Sequence, residues 1–173
     1  MKKTKQVQVG LVMGSDSDWE KINAACTALD EFGISHEVHV MSAHRTPEVV
    51  ADYAKSARER GLKVIIAAAG GAAHLAGVIA SHTTLPVIGI PVKTEMMGGL
   101  DSLLSTVQMP GDIPVATVGV GSGGARNAGL LATQILALSN ASLAKKLELY
   151  KEKLVEKIQT KDAKLQEKIG LRG

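Results

Sequence analysis

The sequence predicts an α/β fold in which a parallel β-sheet lies between two layers of helices. Short segments rich in Val and Ile alternate with longer amphipathic segments, and this alternation is typical of parallel sheets covered on both faces. Hydrophobic residues make up 45% of the 173 residues but aromatic residues only 2%. The core must therefore be built from Ala, Val, Ile, Leu and Met, and a chain of this length can bury such a core as one domain.

Five segments have the length and composition of buried strands. The first is a nearly continuous apolar run, the second alternates with a period of two, and the others are short apolar runs. In chain order, the predicted strands are residues 7–13, 36–41, 64–68, 87–90 and 115–118.

Six segments follow a helical pattern. Thr46 and Pro47 suit the N-cap and first position of the second helix, while Gly33 and Gly61 follow the first and second helices as terminators. In chain order, the predicted helices are residues 18–32, 47–60, 73–81, 100–107, 125–138 and 142–169.

Strands joined by helices predict right-handed crossovers and a three-layer α/β/α sandwich close to the flavodoxin type, plus a C-terminal helix. Ligands of such sheets bind at the carboxyl ends of the strands. The loops expected to form the site are 14–18, 42–46, 69–74 and 119–124.

The last segment differs from the rest because Lys and Glu separate its apolar positions. We predict a single α/β catalytic domain over 1–141 and an amphipathic helical extension over 142–173. Periodicity leaves open whether its apolar stripe packs on its own domain or on a neighbouring subunit. The stripe consists of Leu143, Leu147, Tyr150, Leu154 and Ile158.

Composition argues against several classes of function. The net charge is +3 with basic residues spread along the chain, and no basic surface interleaved with aromatic residues is evident, so we expect no nucleic-acid binding. No apolar stretch is long enough to span a bilayer, and no signal peptide is visible. Cys26 is the single cysteine, which fits a reducing compartment. We expect a cytoplasmic protein that does not bind membranes.

The segment 42–47, Ser-Ala-His-Arg-Thr-Pro, carries the strongest chemical signal. His44 can transfer a proton near neutral pH, and Arg45 can bind an anion through two hydrogen bonds. Both precede a predicted helix start, whose backbone N–H groups favour anions. An acid–base group and a phosphate anchor are therefore expected side by side.

Residues 14–18, Gly-Ser-Asp-Ser-Asp, follow the first strand and can form a phosphate cradle. Asp18 could accept hydrogen bonds from sugar hydroxyls. The alternative is an N-capping turn with no ligand, because caps use the same residue types.

Residues 70–74, Gly-Gly-Ala-Ala-His, follow the third strand and leave room for a flat ligand close to the backbone. His74 is equally compatible with a functional and with a structural role. Structural or surface roles are expected for the other three histidines, which are His36, His39 and His82.

Other signals are weak. No pattern of metal ligands or covalent nucleophile is present. The glycine-rich loop 119–124 could bind phosphate, but close packing or a subunit contact explains it as well. The Gly- and Met-rich segment 93–110 could be an ordinary connection or could cover a site.

Six motifs in order and spacing carry a resemblance that extends over residues 7–138. They are MGSDSDW (13–19), SAHRTP (42–47), GGAAHL (70–75), LPVIGIPV (85–92), GLDSLLSTVQMP (99–110) and NAGLLATQILA (127–137). Together they resemble the family of N5-carboxyaminoimidazole ribonucleotide mutases of purine biosynthesis. The resemblance implies conversion of that ribonucleotide into 4-carboxy-5-aminoimidazole ribonucleotide by decarboxylation, retention of CO2 and recarboxylation. It also implies a homo-octamer that uses no ATP, metal or organic cofactor.

The resemblance assigns roles to the motif residues. His44 would be the general acid and base, Ser15 and Arg45 would hold the 5′-phosphate with help from Ser17, and Asp18 would hold the ribose. The positions that would frame the imidazole ring and the migrating carboxylate are Ser42, Ala43, Gly70, Gly71, Ala72, Ala73, His74 and Leu75.

Two alternatives accompany this interpretation. A related group carboxylates aminoimidazole ribonucleotide with CO2 directly, but a lysine is usual there where this chain has Arg45. A non-enzymatic nucleotide-binding domain of flavodoxin type is the second alternative. The chain departs from the family pattern at Ala76, where proline is usual, and at Ala68, where glycine is frequent.

Overall fold

The computed structural model describes residues 6–170 and contains a five-stranded parallel sheet within that range. The strand order β2-β1-β3-β4-β5, with helices on both faces, confirms the predicted flavodoxin-like α/β fold. The strands are β1 (Val9–Met13), β2 (His36–Val40), β3 (Val64–Ala69), β4 (Val87–Pro91) and β5 (Ala116–Thr117).

The helices follow the predicted order with shifted ends. They are α1 (Trp19–Ile22), α2 (Ala24–Phe32), α3 (Pro47–Ser56), α4 (Leu75–His82), α5 (Leu100–Val107), α6 (Ser122–Ala137) and α7 (Ala141–Ile169).

The helix predicted over 18–32 is wrong as a single element. A 3-10 helix over Asp16–Asp18 precedes α1, and a turn at Asn23 separates α1 from α2. Asn23 has φ −57° and ψ −20°, values typical of 3-10 geometry, and its N–H still donates to the Trp19 carbonyl. The backbone at Asn23 is therefore wound more tightly than in an α-helix, and Gly33 ends α2 in the left-handed conformation as predicted.

Buried aliphatic residues on one face of the sheet pack against α3 and α4, while α5 lies close to β4. A Cβ atom added to Gly89 of β4 would lie 2.5 Å from the Thr106 side chain of α5. Where α6 meets α2, a Cβ added to Gly129 of α6 would lie 2.5 Å from the Ala25 carbonyl oxygen of α2. Glycines thus permit the close approach of two pairs of elements.

The register brings the carboxyl ends of three strands together. Met13 at the end of β1 pairs with Val40 of β2 and with Ala68 of β3. The loops that follow these strands therefore meet at one edge of the sheet, as expected for a parallel α/β sheet.

The chain divides into two compact units, the first ending at Ile135 and the second beginning at Leu136. The second unit contains α7, which begins at the N-cap Asn140 and ends before Gly170 in the left-handed conformation. Of its predicted stripe, Leu143 is buried and Ile158 is 62% exposed. Within residues 6–170, no helix combines the length and apolarity required to cross a membrane.

Candidate active site

An open cavity of about 430 Å³ lies where the loops after β1, β2 and β3 meet. Ten of the thirteen predicted site residues line it. All twelve lining residues are Gly14, Ser15, Asp18, Ser42, Ala43, His44, Arg45, Ala69, Gly70, Ala72, His74 and Leu75.

The turn that carries His44 is held by hydrogen bonds within the segment 42–46. Ser42 Oγ accepts from the backbone N–H groups of His44 and Arg45 at 3.4 and 3.2 Å. Thr46 occupies the N-cap position before Pro47, as predicted, but its side chain makes no cap bond. Its Oγ1 instead accepts from Ser42 N–H at 2.9 Å, so the hydroxyl closes the turn. This arrangement fixes the backbone of both reactive side chains.

His44 and His74 both line the cavity, and their side chains contact each other. His44 Nε2 lies 2.8 Å from His74 Nδ1, and the two rings meet edge to face at 79°. A hydrogen bond between two ring nitrogens needs one proton between them. While the contact persists, the facing nitrogens therefore share a single proton and the pair can pass it between the rings. The sequence named both histidines but did not predict that they touch.

Arg45 joins two of the predicted loops. Its guanidinium donates to the Gly14 carbonyl, which follows β1. Guanidinium has five N–H donors, so this contact leaves donors free for an anion.

Ser15 fulfils the capping role that the sequence left open. Its Oγ accepts from Ser17 N–H at 3.3 Å and lies 2.9 Å from Ser17 Oγ, at the start of the 3-10 helix. The single proton of the Ser15 hydroxyl points to Asp16 Oδ1 at 3.3 Å or to Ser17 Oγ, so donation to a ligand oxygen requires that the hydroxyl rotate away from these partners. The loop therefore combines a cap with two clustered hydroxyls next to the cavity.

Asp18 is a buried carboxyl at the cavity wall. Burial raises its pKa above the usual value, and the Lys21 ammonium, 3.9 Å away, partly offsets this effect.

Asp18 and Gly70 also line a second cavity of about 560 Å³ that reaches Lys93, Gly121 and Ser122. The loop 119–124 thus borders the second cavity and not the first.

The glycine loop after β3 is anchored by a residue that sequence reasoning did not select. Gly71 has φ +67°, a left-handed conformation that glycine adopts without strain. Its N–H donates at 2.9 Å to Oγ of Ser102, a fully buried serine on α5. The sequence held no signal for Ser102, because this residue lies on the polar side of the predicted helix, opposite Leu100, Leu104 and Val107.

Three predicted residues do not line the first cavity, namely Ser17, Gly71 and Ala73. Ala73 is buried and Gly71 is half-buried, so both belong to the wall that supports His74. Ala76 is buried at the second position of α4, the helix that His74 precedes. Among residues 6–170, no group of three or more His, Cys, Asp or Glu side chains could hold a metal ion.

Comparison with known proteins decides the family. Residues 8–157 match the family model described as AIR carboxylase. The chain belongs to the AIR carboxylase family. This finding confirms the resemblance inferred from the six motifs and extends it into α7.

Individual relatives are similar over most of their length. The N5-carboxyaminoimidazole ribonucleotide mutase of Bacillus subtilis is 59% identical over 143 residues, which cover 83% of this chain and 88% of the relative. The protein of the same name from Aquifex aeolicus is 61% identical over 140 residues, covering 81% and 83%. The crystal structure of Treponema denticola PurE aligns with a TM-score of 0.82 at 30% identity and covers 92% of this chain and 98% of that one.

Proposed function

We propose that this protein converts N5-carboxyaminoimidazole ribonucleotide into 4-carboxy-5-aminoimidazole ribonucleotide in purine biosynthesis. The names of the relatives support the reaction. The observation that carries the mechanism is the contact between His44 and His74, 2.8 Å apart at the wall of a cavity that also contains an arginine and a hydroxyl-rich loop. That combination supplies a proton carrier next to anchors for a nucleotide.

The nucleotide is oriented by its polar end. Arg45 and Ser15, with Ser17 beside it, bind the 5′-phosphate, and the Asp18 carboxylate accepts hydrogen bonds from the ribose hydroxyls. The support is the hydrogen bond that ties Arg45 to the loop containing the other three residues. The imidazole ring then lies between residues 42–43 and 70–75, next to His44.

The reaction moves one carboxyl group and returns the enzyme to its starting state. The carbamate C–N bond breaks, CO2 is released within the cavity, and the exocyclic nitrogen takes a proton. Ring carbon C4 then attacks CO2, a C–C bond forms, and the proton on C4 leaves. The bond changes need a proton donor, a proton acceptor and retained CO2, so we propose no cofactor.

His44 performs both proton transfers. A histidine suits this task because its two protonation states are both accessible near neutral pH. His74 shares that proton with His44 while the bonds of the nucleotide rearrange, so the proton stays within the active site. The small side chains of Ala43 and Ala72 at the cavity wall leave space for CO2 beside C4, where closure by the bound nucleotide limits its escape.

The test supplies two substrates separately to the purified protein. Rapid product formation from N5-carboxyaminoimidazole ribonucleotide, and not from aminoimidazole ribonucleotide with low bicarbonate, is the expected result. The opposite preference would identify a carboxylase that uses CO2, and binding without turnover of either would identify a binding domain. His44→Asn should bind the nucleotide but turn it over at least about 100-fold more slowly.

We further propose that the protein is a cytoplasmic homo-octamer. The support is an apolar face on α5, where Leu100, Leu104 and Val107 are spaced on one side of the helix and each is nearly half exposed. Light scattering should give about eight times the 18.1 kDa chain mass. A mass near that of one chain would overturn this part of the proposal.

A further inference from the structure

Ser102 is a fully buried serine that lies behind the cavity wall. It occupies the third position of α5, has no solvent exposure, and accepts the Gly71 N–H at 2.9 Å. Serine is less favourable than alanine within a helix, and a buried hydroxyl is costly unless it is hydrogen-bonded. The contact with Gly71 offsets both costs.

The loop that Ser102 touches has weak internal support. Ala73 N–H donates to the Gly71 carbonyl at 2.8 Å and His74 N–H donates to the Ala72 carbonyl at 2.9 Å. Both bonds span only two residues, and such short turns have poor hydrogen-bond geometry. Among the hydrogen bonds found within residues 6–170, the bond to Ser102 is the one that ties the backbone of 71–73 to another element.

We propose that Ser102 is a positioning residue that holds the glycine loop and thereby keeps the His74 imidazole within hydrogen-bonding distance of His44. Its kinetic consequence rests on the function proposed above. The helix that carries Ser102 packs directly on the sheet, because a Cβ added to Gly89 of β4 would lie 2.5 Å from the Thr106 side chain. The loop is therefore fastened to a fixed support about thirty residues away in sequence.

A second hydroxyl on the same helix provides a matched control. Thr106 is also buried, and its Oγ1 donates at 2.7 Å to the Ser102 backbone carbonyl. Its hydroxyl makes no hydrogen bond with the glycine loop. Removing it tests the general cost of losing a buried hydroxyl from α5, whereas removing the Ser102 hydroxyl also releases Gly71.

The experiment compares Ser102→Ala and Thr106→Val in the full-length protein. In Ser102→Ala, the Gly71 amide proton should exchange with solvent about tenfold faster or more, and the side-chain ¹⁵N signals of the facing His44 and His74 nitrogens should lose their mutual coupling. Its kcat should fall about 10–100-fold, the scale of a small displacement of a reacting group. Its KM should change little, since the phosphate and ribose anchors lie on other loops. Thr106→Val should retain wild-type values in all four measurements.

Wild-type exchange at Gly71 in folded Ser102→Ala, or a kcat equal to that of Thr106→Val, would overturn the proposal. If Ser102→Ala does not fold, Ser102→Cys takes its place, because it keeps a similar size and has a weaker acceptor; the same changes should appear at smaller amplitude. If the wild-type protein fails to convert N5-carboxyaminoimidazole ribonucleotide, the proposed function is wrong. The exchange rates and histidine spectra would still decide the role of Ser102.

Discussion

The contact between His44 and His74 leads to a quantitative prediction about how their contributions combine. If His74 acts through His44, removing His74 should matter only while His44 is present. The perturbation is a double-mutant cycle made of His44→Asn, His74→Ala and the double variant. His82→Ala is the matched control, because His82 is an exposed histidine at the other end of α4.

The expected size follows from the geometry of the pair. A 2.8 Å hydrogen bond between ring nitrogens becomes charge-assisted when His44 is protonated, and such bonds contribute about 1.5–3 kcal/mol. Each 1.4 kcal/mol corresponds to a factor of ten, so His74→Ala should lower kcat by about 10–150-fold. His44→Asn should lower it by about 100-fold or more. In the His44→Asn background, loss of His74 should cost almost nothing further.

Single-turnover conversion of N5-carboxyaminoimidazole ribonucleotide measures the chemical step without interference from product release. The cycle should give a coupling free energy close to the whole cost of His74→Ala. Independent effects, in which the two losses of kcat multiply, would refute the idea that His74 works through His44. His82→Ala should retain the wild-type rate.

Three further predictions concern binding and stability. Arg45→Ala should raise KM by about 10–150-fold with a much smaller effect on kcat, because a charge-assisted phosphate contact is lost away from the reacting bonds; an unchanged KM in steady-state kinetics would contradict the anchor role. Gly129→Ala should lower the free energy of unfolding by about 1–3 kcal/mol in urea titrations, because the new Cβ would meet the Ala25 carbonyl at 2.5 Å. Gly123→Ala on the same helix, where the new Cβ meets nothing within 4 Å, should not destabilise the protein; equal losses in the two variants would refute the packing argument. Asp18→Asn should stabilise the protein at neutral pH while weakening nucleotide binding. Burial raises the pKa of Asp18, so the folded state holds that proton more tightly, and wild-type stability falls as pH rises from 3.8 through the folded pKa. The gain in melting temperature should therefore be present near pH 7 and absent near pH 3; a gain that is the same at both values would contradict the cause assigned to the shift.

The predicted fold was accessible from sequence because strand signals here are strong and local. Runs such as Val9–Met13 are apolar throughout, and their alternation with helical segments specifies a parallel sheet. Errors arose where local signals weaken. The pattern over 18–32 is continuous although Asn23 adopts tightened geometry. The strand predicted over 115–118 is only two residues long, because β5 pairs with β4 at just two positions.

The candidate site was accessible for a different reason. In a parallel sheet, residues after neighbouring strands must meet, so the loops could be named before the structure was known. The contacts within the site could not be predicted. His44 and His74 are about thirty residues apart in sequence, and so are Gly71 and Ser102. Their pairing depends on strand order and helix packing. The roles assigned to these residues stay predictions until nucleotide binding and turnover are measured.

A crystal structure of the protein with its nucleotide bound tests the central claim most directly. We predict that ring carbon C4 lies within about 3–3.5 Å of the His44 imidazole, the distance required for proton transfer. The phosphate should at the same time contact Arg45 and Ser15. A ring located beyond reach of His44, with the phosphate elsewhere, would contradict the account.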